Sequence, residues 1–359
     1  MGGDMAQLGT VLVTGGAGFI GCALSHAAGD NAERWVAVDI LHPQVHPSQE
    51  RPGDLAAAAE LVVGDVTDPA MWDMLLADVK PDVIVHLAAE TGTAQSLDEA
   101  TRHASVNVVG TTQMLDALGR HHQVPSHVVL SSSRAVYGEG MWKRQDGTII
   151  EPGMRSHAQF ERGDWDFVGA IPLPSVAAST APAPTSVYGA TKLAQEHILA
   201  AWAGAHDVPL SVLRLQNVYG PGQSLINSYT GIVSMFSQWA KAGQSIPIYE
   251  DGLITRDFVF ITDVAAALAA AMRNPPAPTD KRRVDIGFGV GTTILELAQV
   301  VAAYYGAPEP HINGMYRDGD VRHATTDIMA AKSQLDWVPE VDLERGIAAL
   351  QDWIATQHV

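Results

Sequence analysis

Tyr188 and Lys192 are the two residues whose types and spacing best suit proton transfer. On a helix, positions i and i+4 lie on the same face, so the ammonium group would sit beside the phenol. The ordinary pKa of a phenol is about 10, which is too high for a base at neutral pH, and a neighbouring positive charge favours the phenolate. We therefore expect Tyr188 to act as a general base towards a hydroxyl group, with Lys192 as its catalytic partner.

Three consecutive serines, Ser131–Ser133, end a short apolar run that predicts a buried strand. A hydroxyl group at the carboxyl end of such a strand can bridge a reacting oxygen and the Tyr188 phenol. Ser133 is the candidate for this catalytic role. A polar loop is the alternative interpretation of the serines.

Three glycines follow the strand candidate Val11–Val13 and precede a helical pattern. Glycine in such a turn permits a close approach of the backbone to a pyrophosphate, and the helix N-terminus points unpaired N–H groups at the anion. The turn therefore predicts a dinucleotide site, with an ordinary glycine turn as the alternative. The expected contacts are Gly15, Gly18, Phe19, Ile20 and Gly21.

The ends of the next predicted strands supply the rest of the cofactor site. Asp39 lies 18 residues after Gly21, where a carboxylate can accept hydrogen bonds from ribose hydroxyls and repel a 2′-phosphate, so NAD is favoured over NADP. Asp65 and Val66 follow the third strand and would contact the adenine, with a helix cap as the alternative role for Asp65. Small residues after the fourth strand would let the cofactor lie across the sheet edge, and these contacts are Leu87, Ala88 and Ala89.

Short runs of β-branched residues alternate with helical patterns through the first half of the chain, as in a parallel sheet covered on both faces. We predict an α/β fold, with a Rossmann-type doubly wound parallel sheet and a smaller C-terminal α/β substrate-binding lobe. The NAD-binding domain is expected to span 8–215. The lobe is expected to occupy mainly 216–359, with some segments returning to the core. The stretch 139–185, rich in Gly, Pro and charge, is too long for an ordinary connection and predicts an insert or a lid.

Composition and charge narrow the function classes. Of the 359 residues, 47% are hydrophobic and 17% are charged, which excludes a disordered chain. The net charge of −18 argues against a general binder of nucleic acid or anionic membranes. The one cysteine, Cys22, suits a reducing cytoplasm. The sequence has no apolar run of about 18 residues and no signal pattern at its start, so we expect a cytoplasmic protein that binds neither nucleic acid nor membrane.

Taken together, the motifs resemble the extended short-chain dehydrogenase/reductase family, and within it the NAD-dependent nucleotide-sugar epimerases and dehydratases. The resemblance rests on the glycine turn, Asp39, the serines followed by Val136-Tyr137-Gly138, and the Tyr-x-x-x-Lys pair. It covers about Val11 to Trp353. It implies NAD as the cofactor and a nucleotide sugar as the substrate.

The resemblance also implies a set of substrate contacts. Asn217 matches an asparagine that contacts the sugar diphosphate, and Arg256 matches an arginine that pairs with a phosphate. The second phosphate-binding arginine is Arg317 or Arg322, with Arg322 slightly favoured, since two guanidinium groups suit a diphosphate. The other implied contacts are Arg134 with the substrate, Asn107 with the cofactor, and Tyr249 near the nucleotide base, where core packing is the alternative.

The segment after the serines distinguishes the reactions of this family. Related dehydratases carry an Asp-Glu pair there for eliminating water, whereas this chain has Arg134-Ala135 and no carboxylate between Ser131 and Gly138. Related decarboxylases usually keep a glutamate, and simple 4-ketoreductases commonly use NADPH. The resemblance therefore implies a C4 epimerase working through a transient 4-keto intermediate. Other redox enzymes of nucleotide sugars (4-ketoreductase, oxidase or decarboxylase) and a non-catalytic NAD-binding regulator remain as alternatives.

Within the family, the chain is most similar to the epimerases that act on dTDP-L-rhamnose, so a dTDP-linked 6-deoxysugar is expected as the substrate. The similarity includes the 41–46 loop, Arg51-Pro52, Gly222-Gln223-Ser224 with 229–231, and the long insert. Related inserts often carry paired cysteines suggestive of zinc, but Trp142 to Asp166 has none, so we expect no metal. The family usually dimerises through two helices per subunit, here about Leu97–Gly119 and Val187–Ala205, and a homodimer is expected.

Overall fold

The computed structural model describes residues 8–225 and 231–357. Buried runs rich in β-branched residues form the strands of its central sheet, and shorter strands form three smaller sheets. The strands are β1 Thr10–Thr14, β2 Arg34–Asp39, β3 Glu60–Val63, β4 Val83–His86, β5 His127–Ser133, β6 Trp142–Arg144, β7 Ile149–Ile150, β8 Ala170–Pro172, β9 Leu210–Leu215, β10 Asn217–Tyr219, β11 Pro247–Ile248, β12 Thr255–Phe260, β13 Arg282–Ile286, β14 Gly291–Thr293, β15 His311–Ile312 and β16 His323–Ala324. The helices are α1 Phe19–Ala28, α2 Pro69–Asp78, α3 Gln95–Asp98, α4 Ala100–Ala104, α5 Gly110–Arg120, α6 His157–Arg162, α7 Val187–Ala205, α8 Ile232–Lys241, α9 Ile261–Arg273, α10 Ile294–Tyr305, α11 Met329–Leu335 and α12 Leu343–Thr356.

The central sheet has seven strands in the order β13-β9-β5-β4-β1-β2-β3, and all neighbouring strands are parallel. Helices α1, α9 and α11 cover one face, and α2, α5 and α7 cover the other, each over its own apolar core. The strand order reverses between β1 and β4, which is where doubly wound sheets bind ligands at their carboxyl edge. The predicted doubly wound α/β fold is therefore confirmed.

The C-terminal part of the chain builds smaller sheets beside three helices. Strands β10, β12, β14 and β16 form one sheet, and β11 pairs with β15. Helices α8, α10 and α12 enclose a third apolar core with them. Strand β13 leaves this region and pairs with β9 at the edge of the central sheet.

The region predicted as one helix from about Leu97 to Gly119 is divided in the structure. Helix α3 ends first, and α4 and α5 are joined by a π-helical turn at Ser105–Val109. The single-helix prediction fails at Glu99, whose φ of −118° and ψ of 43° break the helix. From Ala100 to Arg120 the chain stays helical, because the π turn continues α4 into α5. Such turns often occur at functional sites, and this one carries Asn107.

The 139–185 segment is ordered around a three-stranded antiparallel sheet, β7-β6-β8, and the short helix α6. The Trp142 ring is buried and meets Phe167 edge to face, with ring centroids 4.9 Å apart. Phe160 of α6 stacks on Tyr316 of the C-terminal part, with centroids 5.2 Å apart. The insert therefore has its own small core and an aromatic contact with the rest of the chain.

Ion pairs also join the insert to the C-terminal part, one of them buried and the other exposed on its Asp166 side. Arg155 pairs with Glu250 at 2.9 Å, and Arg322 pairs with Asp166 at 2.8 Å. Glu139 lies 3.3 Å from the Arg155 Nε atom, and its pKa is raised to about 7, chiefly by burial. A buried charge is stable only while it keeps its partner, so the pairs of Arg155 with Glu139 and Glu250 hold the insert against the C-terminal part.

No helix among the described residues is long and apolar enough to cross a membrane. Residues 229 and 230, which contributed to the subgroup resemblance, lie outside the described residues.

Candidate active site

Helix α7 brings the predicted base to the carboxyl end of β5. The Ser186 hydroxyl accepts a hydrogen bond from the Gly189 N–H group at 3.1 Å and so caps the helix. Gly189 permits a close approach to the turn after β5, because a Cβ atom there would collide with the Ala135 carbonyl oxygen. As a result, the Tyr188 phenol lies beside the hydroxyl of Ser133.

The environment of Tyr188 raises the pKa of its phenol above the ordinary value, because burial outweighs the groups that favour ionisation. Burial raises the pKa of the phenol, whereas its side-chain hydrogen bond with Ser133 and the charge of Arg134 lower it. The Ser133 hydroxyl is itself fixed, because it accepts the Ala135 N–H group at 3.1 Å. The structure thus brings together the two side chains predicted to share the reacting proton.

Lys192 lies one helical turn beyond Tyr188 and is almost completely buried. Burial lowers the pKa of its ammonium group to about 7, and the charge of Glu196 opposes that shift. The Glu196 carboxylate accepts the Ser132 hydroxyl at 2.5 Å and pairs with Arg214 at 2.7 Å. Tyr188, Lys192 and Glu196 therefore form one polar stripe along α7 that faces the end of β5.

A buried network continues from this stripe. The Arg214 guanidinium lies 4.7 Å from the centroid of the Tyr137 ring, and the Tyr137 hydroxyl donates to Asp285 at 2.7 Å. Sequence analysis missed Glu196, Arg214 and Asp285. Only Glu196 had a readable signal, since it repeats the i+4 spacing after Lys192.

The glycine turn has the geometry that a pyrophosphate requires. Gly15 has a φ of +66°, and a Cβ atom there would lie 2.8 Å from the Ala88 nitrogen. Gly18 carries no side chain to cap α1, which begins at Phe19 and continues through Ile20. At Gly21, a Cβ atom would lie 2.6 Å from the Gly16 carbonyl carbon. The turn thus presents an uncapped helix N-terminus over a close-packed backbone, which fits a dinucleotide phosphate.

Asp39 ends β2 with its carboxylate held by backbone N–H groups. Ala17 donates to Oδ2 at 3.2 Å and Leu41 donates to Oδ1 at 2.9 Å. The His46 Nε2 atom lies 3.7 Å from Oδ1. A carboxylate fixed beside the glycine turn fits the ribose of NAD and opposes a 2′-phosphate.

The residues predicted near the adenine follow β3. Asp65 accepts hydrogen bonds from the N–H and hydroxyl groups of Thr67, both at 2.8 Å. The cap of α2 is Asp68, so the alternative role of Asp65 as a helix cap is wrong. Val66 is buried, and a Cβ atom at Gly110 would lie 2.8 Å from its Cγ2 atom.

The backbone after β4 is tied to β1. The Leu87 N–H group donates to the Thr14 carbonyl at 3.0 Å, and the Ala88 N–H group donates to the Thr14 hydroxyl at 3.2 Å. Leu87, Ala88 and Ala89 are only partly buried at this edge. This edge therefore carries one leucine and two alanines next to the glycine turn, and their contact with the cofactor stays a prediction.

The side-chain amide of Asn107 is held by neighbouring groups of the protein. Its Oδ1 atom accepts the Glu90 N–H group at 2.8 Å, and its Nδ2 atom donates to the Glu90 carbonyl at 3.0 Å and to the Thr191 hydroxyl at 2.9 Å. The side chain is completely buried. Asn107 thus ties the loop after β4 to α7, the helix that carries Tyr188, and its contact with the cofactor stays a prediction.

Two arginines gather near Tyr188. The Arg134 Nε atom donates to the Asn217 Oδ1 atom at 2.7 Å. Arg256 lies in β12 and pairs with Asp320 at 2.7 Å. Burial and the charge of Arg256 lower the pKa of Arg134 to about 9. These groups form a cationic region suited to an anionic substrate.

The preference for Arg322 over Arg317 as a phosphate ligand is not supported by the geometry. The Arg322 guanidinium is buried and donates to three carboxylates, those of Asp166, Glu250 and Asp251. Arg317 is exposed, and its guanidinium lies 5.2 Å from the centroid of the Tyr249 ring. Arg322 therefore holds the insert in place, and the structure leaves Arg317 available to a ligand.

A cavity of about 1070 Å³ borders the glycine turn on the outer side of α1. Segments 45–54 and 221–225 and the start of α9 form its other walls. Its lining includes Gly18 and Phe19 but neither Tyr188 nor Lys192, so it adjoins the dinucleotide end of the site and not the reaction centre. Within 8–225 and 231–357, no group of three or more His, Cys, Asp or Glu side chains is placed to hold a metal ion.

Comparisons with known proteins agree with this geometry. The model of the NAD dependent epimerase/dehydratase family matches residues 11–287. The chain is 58% identical to a dTDP-L-rhamnose 4-epimerase of Burkholderia thailandensis, over 97% of this chain and 95% of that protein. It is 33% identical to a UDP-glucose 4-epimerase of Mycolicibacterium smegmatis, over 94% and 96% of the two chains.

Solved structures share the whole fold. A UDP-glucose 4-epimerase of Thermotoga maritima, solved with UDP-glucose, has a TM-score of 0.79 at 28% identity and covers 96% of this chain and 98% of its own. A UDP-glucuronic acid 4-epimerase of Bacillus cereus, solved with UDP-glucuronic acid and NAD, has a TM-score of 0.75 at 25% identity and covers 96% and 99%.

Proposed function

Because this chain belongs to the NAD-dependent epimerase/dehydratase family, we propose that it interconverts the two C4 epimers of a dTDP-linked 6-deoxysugar, with dTDP-L-rhamnose as one of the pair. The observation that carries the proposal is the 58% identity to a dTDP-L-rhamnose 4-epimerase over 97% of the chain. The arrangement of Ser133, Tyr188 and Lys192 at the carboxyl edge of the sheet supports the same reaction.

Tyr188 moves the proton in this mechanism. Its phenolate takes the proton of the C4 hydroxyl as the C4–H bond breaks, and this leaves a 4-keto sugar. Ser133 holds the C4 oxygen in line with the phenol. When bound, NAD supplies the acceptance and return of hydride at C4, so that the net redox change is zero. After the sugar turns its other face, Tyr188 returns the proton to the C4 oxygen.

The cofactor would be held by the glycine turn and the strand ends. The pyrophosphate would lie on the N–H groups of Phe19 and Ile20, and Asp39 would accept the ribose hydroxyls. Lys192 would hold the nicotinamide ribose from α7. The other proposed contacts are Gly15, Gly18, Gly21, Asp65, Val66, Leu87, Ala88, Ala89 and Tyr188.

The substrate diphosphate would lie between Asn217, Arg256 and Arg317. Arg256 keeps one guanidinium edge on Asp320, and Arg317 is exposed beside Tyr249. Guanidinium groups match phosphate oxygens in pairs, so two arginines suit a diphosphate. Tyr249 would border the nucleotide base. In this proposal, the lobe 216–359 binds the nucleotide and the domain 8–215 carries the chemistry.

We also propose a cytoplasmic homodimer. The π-helical turn that leads into α5 carries Val109, which is 44% exposed, and the neighbouring helix α7 carries the partly exposed Ile198 and Trp202. An apolar face shared by two neighbouring helices suits a four-helix interface between two copies. The single cysteine, buried and unpaired, suits a reducing compartment.

The direct test is to incubate the purified protein with dTDP-L-rhamnose, without added cofactor, and to follow the sugar by NMR. We expect a second C4 epimer to appear until the two forms reach equilibrium, with NAD carried through purification. UDP-glucose and UDP-galactose in parallel samples test nucleotide choice. No conversion of any of the three sugars contradicts the proposal and directs attention to 4-keto sugars as reductase substrates.

A further inference from the structure

Arg134 occupies an unusual electrostatic position among the arginines of this chain. Four other arginines in the described residues are buried, and each pairs with a carboxylate; they are Arg155, Arg214, Arg256 and Arg322. Arg134 is half-buried, yet it forms no ion pair within 8–225 and 231–357. Its one hydrogen bond there runs from Nε to the neutral amide of Asn217. A guanidinium left without a counterion in such a site is costly unless its charge serves another group.

The backbone fixes Arg134 beside the reactive phenol. Arg134 opens the short 3-10 turn that directly follows β5, and Ser133 caps that turn. Gly189 lets α7 approach the same turn closely, which brings Tyr188 to it. The bond to Asn217 removes freedom from the long arginine side chain, so its charge is held in place and not left mobile.

The other charges near Tyr188 are largely balanced by partners. On the same helix, Lys192 has its charge opposed by Glu196 one turn away, and burial lowers the pKa of its ammonium group to about 7. From β12, Arg256 faces Arg134 but is paired with Asp320. Asp320 and Glu139 also act on Arg134 from the C-terminal part and from the insert, although neither is within ion-pair distance. His86, on β4, faces Lys192 and is neutral because burial lowers its pKa to about 3.

We propose that Arg134 is a positioning residue for the proton transfer: its fixed, unpaired charge stabilises the phenolate of Tyr188. The proposal rests on the epimerase function above, because it assigns Arg134 to the base of that reaction. It differs from the expected role of Arg134 as a substrate contact. Arg134 would then act on the phenol in addition to Lys192, the cation expected from the sequence.

The two variants Arg134→Gln and Arg134→Lys test this proposal in the NAD-loaded protein without substrate. The phenol is titrated by the near-ultraviolet absorbance of tyrosinate. The titration curve of the same protein carrying Tyr188→Phe is subtracted, so that the difference reports Tyr188 alone. An opposite charge at close range shifts a pKa by about 1–3 units. We expect Arg134→Gln to raise the pKa of Tyr188 by about one unit or more, and Arg134→Lys to restore most of the difference.

Catalysis provides the second measurement. We expect the acid limb of kcat in Arg134→Gln to move to higher pH by the same amount, which means about a tenfold loss below the limb for one unit. Arg120→Gln, which removes an exposed guanidinium paired with Asp73, serves as the control and should leave both readouts unchanged. Arg134→Met removes the charge with a similar chain length if the Gln variant does not fold.

Two results would overturn the proposal. One is an unchanged phenol titration in a folded, NAD-containing Arg134→Gln or Arg134→Met protein. The other is a rise in KM alone with an unmoved acid limb, which would make Arg134 a substrate contact only. The titration needs no substrate, so it can be measured even if the proposed sugar is not the substrate. A wrong sugar assignment can therefore be distinguished from a wrong role for Arg134.

Discussion

At the scale of single residues, the chemistry depends on ionisable groups placed where water is scarce. Tyr188, Lys192 and Glu196 repeat at one-turn spacing, so a single helix sets their separation. Burial works against the charged form of both Tyr188 and Lys192. The ionisation that the reaction needs therefore depends on fixed neighbours, and the predictions at this scale remove one group at a time.

Tyr188→Phe should retain NAD and nucleotide-sugar binding but lose turnover by about 10²–10⁴-fold, because only the proton carrier is removed. Tyr304→Phe is the matched control, since Tyr304 is an exposed phenol bonded to Asp352 on the far C-terminal helices. NMR turnover assays and NAD content measure the two effects. Near-normal turnover in Tyr188→Phe would show that another group is the base.

Asp39→Ala should weaken NAD binding far more than NADP binding, because the carboxylate accepts the ribose hydroxyls of the first and repels the phosphate of the second. The measurement is the ratio of the two dissociation constants in cofactor-stripped protein. Asp30→Ala, an exposed carboxylate just beyond α1, provides the comparison. An unchanged ratio would contradict the ribose assignment.

The buried carboxyl group of Asp285 should make the free energy of unfolding depend on pH. Burial raises its pKa from 3.8 to about 7. The native state therefore binds the extra proton between these values, and the stability that Asp285 contributes at low pH is lost as the pH rises through about 7. As the pH rises through this window, the free energy of unfolding of the wild type should fall by about 1.4 kcal/mol per pH unit relative to that of Asp285→Asn, because the asparagine stays neutral. Urea unfolding at several pH values measures this, and parallel curves would contradict it; exposed Asp280→Asn is the control.

A site residue could be predicted from the sequence where its motif is short, and could not where its contacts come from residues far away in the chain. The glycine turn, Asp39 and the Tyr188–Lys192 pair are short patterns, and each lies where it was expected. Arg322 was misjudged because its carboxylates come from the insert and from the loop before β12, far away in sequence. The bonds of the Asn107 amide to Glu90 and Thr191 could not be predicted for the same reason.

At the scale of elements, the insert is the feature that sequence patterns described least. Its strands are two or three residues long, so no periodicity marks them. What fixes it is a set of side chains that bridge to the C-terminal part, with Arg155 between Glu139 and Glu250. The position of the whole segment thus rests on very few buried charges.

Arg155→Ala should cost about 3–5 kcal/mol of unfolding free energy, because it leaves Glu139 buried without its cation and Glu250 with Arg322 alone. It should also open 139–185 to limited proteolysis. Arg144→Ala, in β6 of the same insert but exposed, is the matched control and should change little. Equal stability and equal protease resistance in the two variants would show that the ion pairs do not hold the insert.

At the scale of the whole molecule, the π-helical turn before α5 and helix α7 carry both site residues and the proposed dimer face. Asn107 and Tyr188 point inward from this layer, while Val109 and Trp202 lie towards its outer side. An interface there would brace the helices that hold the catalytic residues. Dimerisation and activity should therefore be coupled.

Val109→Glu should convert the dimer into a monomer, because it puts a charge into an apolar interface from a position that is 44% exposed in the single chain. Met74→Glu, on α2 and 72% exposed, is the control and should leave the dimer intact. Sedimentation or light scattering distinguishes the two states. A dimeric Val109→Glu protein would place the interface elsewhere.

The pairing of β13 with β9 has a consequence for synthesis on the ribosome. Until residues 282–286 have emerged, β9 is the outermost strand of the central sheet, and all six of its residues are buried in the finished protein. An unpaired apolar edge of this kind invites pairing with other chains. The nascent protein is thus most exposed to misassembly during translation of the stretch between β9 and β13, and a chain terminated in that stretch would be prone to aggregate.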